Sequence, residues 1–134
     1  MKRLVGLATA AAIMTLAAVA GAEDTPSIKE IMGKLHKGAN APLGKLKGAL
    51  KAESPDWKEV QSLSKDFVIL GAGLAKNEPP RGDKAAYEKL ANSYYENAKD
   101  LDNAAKAEDK DKSQAALNKI GASCKACHTA HKGN

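Results

Sequence analysis

The chain has 134 residues, enough for one domain, and carries 21 basic against 16 acidic residues for a net charge of +5. Its lysines are scattered, and one Trp, one Phe and three Tyr are too few to interleave with them, which argues against a nucleic-acid-binding surface. Alanine, lysine and leucine dominate, β-branched residues are few and no stretch alternates with period two, so the chain reads as all-α.

Lys2 and Arg3 form a short basic region, and Leu4 to Ala20 follow without a charge. Ala20-Gly21-Ala22 supplies small residues before the acidic pair Glu23-Asp24. This is the layout of a secretory signal peptide cut after Ala22. The competing reading is an uncleaved anchor, because the apolar run is nearly long enough to span a bilayer. Its alanine richness and small-residue exit favour cleavage. The expected organisation is a signal peptide over residues 1–22 and a single domain over 23–134, exported to the periplasm and with no stable membrane insertion. Cleavage removes two bases and no acid, lowering the net charge from +5 to +3.

The first helical segment is expected to start at Thr25-Pro26, with Thr25 as N-cap and proline at the tolerated first position. Its apolar stripe is Ile28, Ile31, Met32, Leu35 and Ala39, continuing to Leu43, Leu46 and Leu50. Gly38 and Pro42 interrupt it, so a kink or break is expected over residues 38–42. Ser54-Pro55 repeats the cap-then-proline signature before Trp57, Val60, Leu63, Phe67, Leu70 and Leu74, the cleanest amphipathic pattern in the chain. Within it, Gly71-Ala72-Gly73 marks either a close approach of a neighbour or a weakening helix end. Asn77-Glu78-Pro79-Pro80-Arg81-Gly82 is a loop. Asp83 caps a third helix with the stripe Tyr87, Leu90, Tyr94, Ala98, Leu101 and Ala105, and a charged turn spans Glu108 to Lys112. The fourth helix places Ala116, Leu117, Ile120, Cys124, Cys127, His128 and His131 on its inner side. Short links between four helices predict an antiparallel four-helix bundle.

Cys124-Lys125-Ala126-Cys127-His128 is a C-x-x-C-H run that uses both cysteines of the chain. The spacing reads as the attachment site of one c-type haem. On a helix, residues three and four apart share a face, so both thiols reach the vinyl groups of one porphyrin. His128, four residues beyond Cys124, then reaches the iron as proximal ligand. A haem would also supply interior that so few aromatics cannot. Thiol–disulfide exchange normally places C-x-x-C at the start of a helix that follows a strand, and no such pattern precedes it. A zinc site from Cys124, Cys127, His128 and His131 has suitable atoms, but one short helix cannot close a tetrahedron around them.

A four-helix bundle with C-x-x-C-H near the end of its last helix resembles the class II c-type cytochromes, the cytochrome c-prime and cytochrome c-556 group. In that family the motif is followed after two residues by an aromatic and then a basic residue. Here these positions hold His131 and Lys132, so Lys132 keeps a charge that the resemblance places near the haem edge, while His131 departs from the pattern and reads as a packing or propionate-side residue. An arginine frequent in the first helix is absent, with Lys29 and Lys34 nearby. Low-spin members present a methionine to the sixth iron position and carry electrons; high-spin members leave it open and bind nitric oxide or carbon monoxide. Met32 falls where the low-spin members place their methionine, which implies His/Met ligation and a raised potential. Taken without the family, Met32 reads as a core methionine. His36, one turn on, is its competitor for the iron. If Met32 ligates, His36 becomes a surface or haem-edge residue and Gly33 lets the backbone approach the ring. The expected function is an exported mono-haem electron carrier, with a gas-binding haem protein as the alternative. No substrate pocket with a paired acid and base is visible, so an enzyme is not expected. The resemblance implies redox protein partners and homodimerisation through the first two helices, although the 38–42 interruption leaves the oligomeric state open.

Overall fold

The computed structural model describes residues 25–38 and 40–131; the expected signal segment 1–22 and Lys132 lie outside the described residues. Five helices form: α1 (Ile28–His36), α2 (Pro42–Lys51), α3 (Trp57–Leu74), α4 (Lys84–Lys106) and α5 (Lys110–His131). No strand occurs among the described residues, and none of these helices is long and apolar enough to cross a membrane. The expected break in the first segment is present. Lys37 leaves the helical region, Gly38 takes φ +91°, and Pro42 opens α2 with its φ already set and no amide hydrogen to satisfy.

Two of the three expected caps move by two residues. Ser27, not Thr25, caps α1: its hydroxyl accepts from the Glu30 amide and the Glu30 carboxylate accepts from the Ser27 amide, a reciprocal pair that Thr25 cannot form. Asp56, not Ser54, caps α3, its carboxylate accepting from the amides of Lys58 and Glu59. In both places the proline lies outside the helix, before the cap. Asp83 caps α4 as expected, accepting from the Ala86 amide at 3.1 Å. The charged turn is shorter than expected. Glu108 takes φ 53° and closes α4, with the Asp109 amide donating to Ala104 O and the Glu108 amide to Ala105 O. Asp109 then caps α5, so Lys110 to Lys112 form its first turn.

Side-chain ties across the helices fix their directions. Gln61, early in α3, donates to Ala105 O at the end of α4, and Tyr87, early in α4, donates to Leu74 O at the end of α3. Gln114, early in α5, donates to Leu50 O at the end of α2. Each pair is therefore antiparallel. With α1 and α2 acting as one broken arm, α3 lies between that arm and α4, α4 packs on α5, and α2 closes the ring against α5. The result is the expected antiparallel bundle of four arms. The start of α1, the end of α3, the start of α4 and the end of α5 all gather at one end.

Ile31, Leu35, Leu46, Leu50, Val60, Phe67, Tyr87, Leu101 and Ile120 are fully buried and form the core. Alanines fill much of the α4 contribution, which keeps the helices close and the interior thin. Ser64 and Ser113 are the buried polar residues the apolar pattern misses; each returns its hydroxyl to a carbonyl one turn earlier, Val60 O and Asp109 O.

Candidate functional site

Along α5, Ile120, Cys124, Cys127 and His131 recur at spacings of four, three and four and so share one face. Ile120 and His131 are buried, and the two thiols between them are half-buried. Cys124 and Cys127 border an apolar cleft of about 450 Å³, counting its open mouth. His128 lines the same cleft and is exposed at the mouth. The facing wall carries Ile28 and Met32 of α1, and Leu74, Tyr87, Leu90 and Tyr94 extend it along α3 and α4. Two thiols, an imidazole and a thioether from opposite ends of the chain thus share one recess.

Both cysteines are free thiols, and burial pushes each upward from its ordinary range. Redox-active thiols need the opposite shift, so this environment suits thiols that are consumed once in a covalent bond. Burial likewise raises the phenols of Tyr94 and of Tyr87, the latter to about 12, so the α4 side of the cleft stays neutral. An apolar slot edged by two thiols on one helical face fits a covalently held porphyrin, with a ring nitrogen and a sulfur available as iron donors. Among the described residues no group of three or more His, Cys, Asp or Glu side chains converges as a metal site, so the zinc alternative has no geometry behind it.

His36 is not a surface residue. Its ring stands edge-on to Phe67 and Tyr94, and its Nε2 lies 2.7 Å from the Tyr94 hydroxyl, with Nδ1 enclosed and unpartnered. Burial, then the charges of His128 and Lys47, lower its pKa to about 4. An unfolded histidine titrates near 6.5. Between pH 6.5 and 4 the unfolded chain therefore binds a proton that the fold refuses, and acid favours unfolding in that window. The contribution is complete above pH 6.5 and lost as pH falls through about 4. Urea titrations at pH 7 and pH 4.5 should show a loss of about 1–2 kcal/mol from this ring, allowing for its partial screening. His36→Gln should flatten that slope; an unchanged slope would show that the ring is not held neutral.

His131 sits 3 % exposed beneath the loop joining α3 to α4. Its Nδ1 donates to Arg81 O at 3.0 Å, since a carbonyl only accepts, and its ring stands edge-on to Tyr87. Arg81 returns a bond from Nη2 to Thr129 O at 2.7 Å. This is the packing role; the loop clamps the last turn of α5 directly after His128. Gly33 is different: a side chain there would meet nothing within 4 Å, so no protein contact requires a glycine. The Gly71-Ala72-Gly73 cluster serves close approach, since a Cβ on Gly71 would press on the Tyr94 ring at 3.2 Å and one on Gly73 on Ile31 at 3.3 Å. The helix runs on to Leu74.

Sequence reasoning assigned Tyr87 and Tyr94 to the core and missed that they wall the site. Their spacing of seven put them on one face of α4, but nothing in the pattern tells a core face from a cofactor face. The loop clamp was also missed, because its partners are some fifty residues apart in sequence.

The family model described as Cytochrome C′ matches residues 82–132, which span α4, α5 and the C-x-x-C-H run. No curated protein matches the chain. Among solved structures, the chain is similar to cytochrome c′ from Thermochromatium tepidum, with a TM-score of 0.57 and 22 % identity, over 69 % of this chain and 84 % of that one. The structural likeness carries the fold of the bundle; the family match covers the two helices that end in the C-x-x-C-H run. The chain is thus similar to cytochrome c′ in its fold and, over the stretch that carries the C-x-x-C-H run, in its sequence.

Proposed function

We propose that the protein is an exported, mono-haem electron carrier of the periplasm, matured by removal of residues 1–22, that exchanges electrons with protein partners and is not an enzyme. In this reading Cys124 and Cys127 form the thioethers, His128 is the proximal ligand and Met32 the distal one. The haem supplies the Fe(II)/Fe(III) couple. The chain's part is to hold both axial donors through the change and to exclude water with Leu74, Leu90 and the neutral tyrosines. The observation that supports it is the placement of Met32 on the same apolar cleft as both thiols and His128. A thioether donor favours the ferrous state and raises the potential.

The second reading is a gas-binding protein. It draws support from the apolar cleft itself, which would admit nitric oxide or carbon monoxide beside a displaceable Met32. The oxidised spectrum tests the choice. The carrier should be low-spin with a sulfur–iron charge-transfer band, and Met32→Ala should abolish the band, turn the iron high-spin and open the reduced protein to carbon monoxide. A high-spin wild type, or one that binds carbon monoxide as fast as Met32→Ala, would leave the gas-binding reading standing instead.

A further inference from the structure

α1 is only nine residues long, too short to hold a register by itself, and Met32 lies at its middle. The segment is pinned at two points. Just before it, Pro26 O accepts from Asn77 Nδ2 at 2.9 Å, and the same amide donates to Gly73 O at 3.0 Å. At its last residue, His36 Nε2 meets the Tyr94 hydroxyl at 2.7 Å. Among the described residues this is the only hydrogen bond that joins α1 itself to another helix. Tyr94 is well placed to be an anchor: it is 5 % exposed, and its ring rests in the space that Gly71 leaves open. The same side chain borders the cleft beside Cys124, whereas His36 does not line the cleft.

We propose that Tyr94 is a positioning residue that decides which α1 side chain the iron can use: by holding His36 it keeps that imidazole away from the cleft and seats Met32, one turn earlier, over it. This rests on the reading of Met32 as distal ligand. The geometry requires both halves at once. For the His36 ring to reach the cleft, its bond to Tyr94 must break and its edge contact with Phe67 must be given up. Any such rotation of the last turn also moves Met32, because residues four apart share a face of α1. The hydroxyl therefore acts through His36 and never touches the iron.

The test uses haem-loaded full-length protein and two variants that break the bond from opposite sides. Tyr94→Phe removes one oxygen and keeps the ring in its seat against Gly71; His36→Phe keeps a ring against Phe67. Both should retain covalent haem, lose at least about half of the sulfur–iron band, and in the reduced state bind carbon monoxide about tenfold faster, as expected when the closed population falls to a minor share. In Tyr94→Phe the freed His36 should add a low-spin bis-imidazole signal, absent from His36→Phe. A purely structural role would lower the melting temperature and leave the band and the carbon monoxide rate alone. If one variant fails to fold, the other decides. A wild-type band that persists unchanged in the folded variants overturns the proposal and leaves Met32 as ligand. A wild type without the band, spectrally identical to Met32→Ala, overturns both.

Discussion

The double substitution Cys124→Ala, Cys127→Ala should yield a protein that carries no covalent haem and has lost its cooperative melt. The burial pattern of α5 gives the reason. Its first half buries Ser113, Ala116, Leu117 and Ile120, but no residue from 121 to 130 is buried, and only His131 closes the far end. The half of α5 that carries the C-x-x-C-H run therefore has no interior of its own, and it faces a cleft lined by Met32, Leu74 and Leu90. A flat apolar group that fills this recess and buries several hundred Å² contributes roughly 5–10 kcal/mol at about 25 cal/mol per Å². A domain of this size is stable by only about 5–15 kcal/mol in total. Loss of the haem thus removes a share comparable to the whole. The remaining chain should keep helical far-ultraviolet signal yet melt broadly and bind hydrophobic dye. Haem staining after denaturing electrophoresis checks the first half of the prediction and circular dichroism the second. A sharp, native-like transition in the double variant would show that the core of Phe67, Tyr87 and the leucines suffices alone.

The same pattern explains how far the sequence was legible. Helix existence followed from composition and stripe, and C-x-x-C-H marked the end of α5 because its spacing has a geometric cause. The break between α1 and α2 was legible because Gly38 and Pro42 act locally. Ser27 and Asp56 were not identified as caps, although each lies only two residues from the expected one. A hydroxyl before a proline looks like a cap in one dimension, and the Glu30 side chain that completes the capping box was overlooked. His36 was read as a competitor for the iron or, with Met32 ligating, as a surface or haem-edge ring, because no local signal shows that a tyrosine fifty-eight residues away will hold it. What sequence patterns miss here is contact between distant segments that pass no periodicity on to each other.

Gly82→Ala is the second large effect, and it measures one such distant contact. Gly82 takes φ +85°, where a side chain is strained at a cost of about 1 kcal/mol. Lack of space costs more. A Cβ there would stand 2.7 Å from Ala130 O and 2.7 Å from His131 Nδ1, atoms of the last turn of α5. A backbone carbonyl cannot rotate aside, so the loop must lift. Lifting breaks the bond from His131 to Arg81 O and the bond from Arg81 to Thr129 O, each contributing on the order of 1 kcal/mol. The expected loss is about 3 kcal/mol, or a fall in melting temperature of roughly 10–20 °C. Gly38→Ala separates the two causes. Gly38 has φ +91° and nothing within 4 Å of an added Cβ, so it bears the strain without the clash and should cost only about 1 kcal/mol. Equal melting temperatures for the two variants would show that the loop does not clamp α5. A lower value for Gly82→Ala places the last fastening of α5 in the loop before α4, where two side-chain bonds hold the turn that follows His128.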